Sequence, residues 1–95
     1  MKNSDSSFEQ ELETLRSKLL VVDDRILDAI GDRFALVRKI GELKQTYHKP
    51  IEDLSREEAN LQRHLLRTKG KLPSDFVSEL LNVLLKWSKI VQSKN

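Results

Sequence analysis

The chain has 95 residues, 34% of them charged and 38% hydrophobic, with a formal net charge of +2 and no cysteine. That length fits one domain with a modest core. The near-cancelling charges argue against a dedicated nucleic-acid binder, and the lack of thiols excludes disulfides and thiolate chemistry. Met1 to Ser7 is polar and lacks the apolar core of a signal peptide, and no apolar run approaches the ~20 residues of a membrane span, so a cytoplasmic protein is expected.

A disordered tail is expected over residues 1–7, followed by one helical domain over 8–95. From about Ser7 to Tyr47 nothing clearly stops a helix. Leu15, Val22, Ala29, Leu36 and Leu43 recur every seven residues, and Leu12, Leu19, Ile26 and Ile40 form a second column. Leu20, Leu27 and Phe34 widen that face. Gly31 and Gly41 each weaken the helix by roughly 1 kcal/mol, which a long packed helix absorbs. Forty residues of helix reach roughly 60 Å, too long for a lone compact domain of this size.

The helix is expected to break at Tyr47-His48-Lys49-Pro50, because proline pushes the preceding residue out of helical angles and lacks a donor. Ser55 to Glu58 has the form of a capping box, with Ser55 as cap and Glu58 bonding back to it. Helix two then runs from about Ser55 to Lys69, with Leu61, Leu65 and Leu66 inward, and Gly70 stops it. Helix three starts at Pro73 or Ser74 and continues to about Ser93. Its expected buried face is Phe76, Val77, Leu80, Leu81, Val83, Leu84, Trp87, Ile90 and Val91. The two shorter helices cover only part of the wide apolar face of the first, and a second copy of the chain is the simplest cover for the rest. The fold expected is therefore all-α, with three helices per chain, one very long, forming a helical homodimer.

Charges interrupt the apolar columns. Arg33 occupies the column of Leu12, Leu19, Ile26 and Ile40, with apolar residues one heptad away on both sides. The adjacent column reads Arg16, Asp23, Ile30, Val37, Lys44. On helix three the stripe Val77, Leu81, Leu84 continues into Ser88, and Gln92 lies four residues on, on the same face. Asp53, Arg56 and Glu57 place three ionisable groups within five positions. A basic residue on a core-facing stripe must snorkel, pair or meet an anionic ligand.

Each has a plainer explanation. Arg16 and Asp23 suit a solvated helix face, and Arg33 suits a buried pair with Asp23 or Glu57. Lys44 suits a helix C-terminus, while Asp53 and Glu57 suit a helix N-terminus. Ser88 can bond back to a carbonyl, and Gln92 can lie in a frayed end. Trp87 reads as core. His48 and His64 show no metal-ligand spacing and receive no role.

The ordered set Leu15-Arg16, Asp23, Arg33, Ile40-Gly41, Lys44, Pro50, Ile51, Asp53, Arg56-Glu57, Ser88 and Gln92 resembles the all-helical (AroQ-type) chorismate mutases. The resemblance covers about Leu12 to Gln92. It implies an intertwined homodimer in aromatic amino acid biosynthesis, on the shikimate pathway, converting chorismate to prephenate. It implies that Arg33, assisted by Ser88, binds one substrate carboxylate, and that Arg16 reaches the other from the partner chain. Lys44 and Gln92 are implied donors to the ether oxygen of the breaking bond. Asp53, Arg56 and Glu57 are implied to organise the ring-hydroxyl end, with Glu57 the direct acceptor.

The residue types suit that chemistry. The rearrangement is unimolecular and needs no nucleophile, metal or redox cofactor, and none is expected. A guanidinium grips a carboxylate through two parallel bonds. Holding a flexible dianion in a chair-like geometry is an orientation effect. Fixed donors stabilise the charge growing on the ether oxygen more than they stabilise the ground state. On the same fold, rearrangement of 4-amino-4-deoxychorismate and elimination of pyruvate from isochorismate are the alternatives, with a non-catalytic helical adaptor further off. No nucleic-acid or membrane partner is expected.

Overall fold

A computed structural model describes residues 2–94, with side chains described from Ser6 onward. Helix α1 spans Lys2–Thr46, α2 Leu54–Thr68 and α3 Ser74–Ser93, with no strand among the described residues. The all-helical expectation holds. Helix α1 starts earlier than the sequence suggested, at Lys2; of the tail expected over residues 1–7, Met1 and the side chains of 2–5 lie outside the described residues.

Helix α1 ends by a specific device. His48 takes a left-handed conformation, φ 55°. Its N–H bonds to the Gln45 carbonyl at 3.2 Å, and the Lys49 N–H bonds to the Lys44 carbonyl at 2.8 Å. This is a Schellman closure, in which the two residues after the helix satisfy its last free carbonyls. Pro50 follows, as proline commonly does after such an ending.

Helix α2 is capped by Asp53 and not, as expected, by Ser55. The Asp53 side chain accepts from the Arg56 backbone N–H at 3.1 Å, satisfying an orphan donor of the first turn. Ser55 lies inside the helix and turns its hydroxyl back to donate to Asp53 Oδ1 at 3.0 Å. Glu58 accepts from Gln62 one turn on, at 3.1 Å, instead of closing a capping box. At the other end Gly70 has φ 81°, the left-handed value that glycine adopts without a Cβ penalty. Helix α3 starts after Pro73, which makes no side-chain cap.

The chain divides into two compact units, Met1–Arg33 and Phe34–Asn95. In the first, Leu15, Leu19, Leu20, Val22, Ile26 and Leu27 are all exposed along α1. In the second, α2 packs on α3. Val37 and Val77 are buried, at 6% and 4% exposure, and Gly41 is buried one turn beyond Val37. The sheltered stripe of α2 is Glu57, Leu61, His64, Leu65 and Thr68, all half-buried at helical spacing.

Two expectations are corrected. Leu66 is 76% exposed and does not face inward. Helix α3 buries one stripe and not a broad face: Val77 and Ser88 are buried, Leu81, Leu84, Ile90 and Val91 half-buried, while Phe76, Leu80, Val83 and Trp87 are exposed. Positions 76, 80, 83 and 87 are themselves at helical spacing, so α3 carries two apolar stripes. Within this unit the packed elements cover only one of them.

Candidate active site

The second unit contains Lys44, Asp53, Arg56, Glu57, Ser88 and Gln92. Lys44 sits in the last turn of α1. The chain reverses after His48, and the half-buried Lys44 ammonium donates to the Ile51 carbonyl at 2.6 Å. The reversal thereby fixes the head of a long, flexible side chain that otherwise loses rotamer freedom on ordering. Lys44 and Asp53 line an open cleft with Lys49, Pro50, Glu52, Leu54 and Ser55. Glu57, Ser88 and Gln92 lie off that lining.

Asp53 is held below the usual carboxylate range. The Arg56 backbone N–H is the main cause and the Ser55 hydroxyl the next; modest desolvation opposes them, and the Lys44 and Arg56 charges help. The plainer explanation of Asp53 is thus part of its structure, since its Oδ1 serves as the cap. Arg56 is exposed.

Glu57 heads the sheltered stripe of α2. Its Oε1 lies 3.3 Å from Lys89 Nζ, and the same ammonium reaches Glu52 Oε1 at 2.9 Å. The Glu52 carboxylate is the main cause that raises the affinity of Lys89 for its proton above the ordinary lysine range; desolvation, the next in size, opposes it, and the Glu57 carboxylate adds to the rise. Sequence reasoning missed both Lys89 and Glu52. The available signal was position: Lys89 follows Ser88 and precedes Gln92 by three residues, and Glu52 adjoins Asp53.

Ser88 is buried at 3% exposure and donates to the Leu84 carbonyl at 2.6 Å, the back-bond expected of a helical serine. Gln92 is half-buried, and its Oε1 is buried without a hydrogen-bond partner among the described residues. A buried amide oxygen left without a partner costs roughly 1–3 kcal/mol, and such groups call for an explanation in a native fold.

Arg16 and Arg33 belong to the first unit. Arg16 and Asp23 are exposed on α1, and Arg33 is half-buried. Among the described residues no cluster of three or more His, Asp or Glu could hold a metal ion, and no helix is long and apolar enough to cross a membrane.

The family model for chorismate mutase type II matches residues 15–93. The bifunctional chorismate mutase/prephenate dehydratases of Escherichia coli K12 and of Shigella flexneri are each 30% identical over 87 residues, covering 88% of this chain and 22% of the relative. That of Enterobacter agglomerans is 28% identical over 79 residues, covering 82% and 20%. The chain therefore spans about a fifth of the length of these curated relatives. No solved structure gave a significant match. With the matched region running from one residue before Arg16 to one residue after Gln92, and so enclosing every candidate position, the chain belongs to the chorismate mutase type II family.

Proposed function

We propose that the chain is a chorismate mutase, converting chorismate to prephenate in a cytoplasmic homodimer. Family membership and the donor set on α1 and α3 support this reading. The observation that carries it is the buried amide oxygen of Gln92, without a partner among the described residues, on the same face of α3 as buried Ser88. A side-chain amide held that way can turn to present either its oxygen or its NH2, and it gains most from a ligand that completes its hydrogen bonding.

In this reading the substrate is a dianion. Arg33 and Ser88 take one carboxylate, and Arg16 of the partner chain takes the other. As the C–O bond stretches, negative charge grows on the ether oxygen. The Lys44 ammonium and the Gln92 amide, its NH2 turned toward the substrate, donate to it, and donors held ready in this way limit the reorganisation that accompanies the step. Asp53 and Arg56 order the opposite end, where Glu57 accepts the ring hydroxyl. The chain supplies orientation and electrostatics, and the bond changes occur within the substrate.

The homodimer is supported by the apolar side chains exposed on α1, among them Leu19, Leu20, Ile26 and Leu27. A contiguous apolar face of this kind marks an interaction surface. The test is loss of chorismate absorbance with purified protein beside an Arg33→Ala control. Rapid loss to prephenate that disappears in the control supports the assignment. A folded dimer that leaves chorismate untouched overturns it.

A further inference from the structure

We propose that Lys89 determines specificity at the ring-substituent end of the site, favouring a neutral hydroxyl and rejecting a cationic ammonium. The inference rests on the chorismate reading of the site and deepens it.

The carboxylate assigned to that end is Glu57. Taken alone, an ionised carboxylate accepts from a hydroxyl and from an ammonium, and the opposite charge favours the ammonium. Such a site would prefer 4-amino-4-deoxychorismate. In this chain Glu57 is not alone. Lys89 Nζ lies 3.3 Å from its Oε1, and Oε2 makes no hydrogen bond among the described residues. A ring substituent donating to Oε2 at ordinary hydrogen-bond distance comes within about 8 Å of the Lys89 ammonium. A hydroxyl is indifferent to that charge, whereas an ammonium is repelled by it.

Burial decides how far that repulsion is screened. The Glu57 side chain is 19% exposed and that of Lys89 34%, against 58% for Glu52. Glu52 is thus the more solvated partner. It anchors Lys89 through the shorter contact, 2.9 Å, and its own charge is the more screened by water and salt. Lys44 and the Arg56 guanidinium add positive charge around the neighbouring Asp53, whose Oδ1 is taken up by capping. Lys89 therefore acts as a repulsive element against the wrong substrate while holding Glu57 in place for the right one. It is a positioning and specificity residue, acting through Glu57 and through its charge.

The test compares kcat/KM for chorismate and for 4-amino-4-deoxychorismate in the wild-type chain, Lys89→Met, Lys89→Gln and Lys89→Arg. The neutral variants should lower the preference for chorismate by at least about tenfold, mostly by improving the amino substrate, and Lys89→Arg should stay near wild type because it keeps the charge. Two neutral variants are used so that one that folds poorly does not decide the outcome, and helicity is checked by circular dichroism. Active wild type with an unchanged preference in a folded neutral variant overturns the inference and leaves the chorismate reading standing. A wild type that turns over neither compound overturns both.

Discussion

The Lys44 ammonium donates to the carbonyl of Ile51 at 2.6 Å, across the reversal that joins α1 to α2. A lysine at the end of a helix ordinarily serves only the helix dipole. Here its backbone carbonyl closes the helix by accepting from the Lys49 N–H, and its side chain clamps the following segment. Both placements are consequences of how α1 stops.

Lys44→Ala should therefore have two separable effects. If the ammonium stabilises the ether oxygen, kcat falls by at least ~10²-fold, the loss seen when a preorganised donor is removed. Losing the Ile51 contact costs only the ~1 kcal/mol of an ordinary hydrogen bond. Steady-state kinetics and urea denaturation on the same sample distinguish them. A variant that melts early but retains its kcat would make Lys44 structural only.

His48 occupies a left-handed position, φ 55°, that a non-glycine residue adopts at a cost of roughly 1–2 kcal/mol. His48→Gly should relieve part of that strain, offset by greater freedom of the unfolded chain. The net expectation is a stabilisation of about 0.5–1 kcal/mol, read as a higher urea midpoint with unchanged slope. His48→Val, with a β-branched side chain at positive φ, should shift the midpoint the other way.

Two glycines make a matched pair. A Cβ at Gly31 meets nothing within 4 Å, whereas Gly70 has φ 81°. Gly31→Ala should raise stability by about 0.5–1 kcal/mol through helix propensity, and Gly70→Ala should lower it by about 1 kcal/mol through strain. If Gly31→Ala instead destabilises the chain in a dilution-dependent way, a partner chain packs against that position.

Asp53 links stability to pH. Its folded-state acidity is greater than the unfolded value near 3.8, chiefly through the Arg56 backbone N–H. The unfolded chain therefore takes up the proton first as pH falls. The contribution is fully present well above 3.8 and is lost as pH falls through that value toward the lower folded one. Asp53→Asn keeps a capping side chain without the charge, and Asp53→Ala keeps neither. At pH 7 the melting order should be wild type, then Asn, then Ala, with the wild-type advantage over Asn shrinking in the acid limb.

How much of this was legible in the sequence varies with range. Helix count and the stops near Pro50 and Gly70 were readable, because Pro and Gly act locally. The cap of α2 was misplaced by two residues because Asp53 and Ser55 both have capping chemistry, and which one leaves helical angles is set by the chain reversal. Helix α3 was read as one broad face because Phe76, Leu80, Val83 and Trp87 are as apolar as Val77, Leu81 and Leu84; only packing separates the stripes. The Lys89 pairs with Glu52 and Glu57 span 37 and 32 residues, and no local pattern encodes them.

The exposed face of α1 gives the last expectation. Leu15, Leu19, Val22 and Ile26 follow one another at helical spacing and are all exposed in the single chain. Burying a side chain of this kind contributes about 1.5–3 kcal/mol, so Leu19→Asp with Ile26→Asp removes four such contributions from a two-fold dimer and adds charge in their place. The dissociation constant should rise by several orders of magnitude. Sedimentation at micromolar concentration should then report a dimer for the wild type and a monomer for the double variant. Loss of helical signal should accompany dissociation, since a helix derives most of its stability from a packed apolar face. A double variant with the wild-type mass would place the dimer contact elsewhere. If Arg16 serves the partner's site, activity should fall in step with dimer content as the wild-type protein is diluted, which no change confined to one chain would produce.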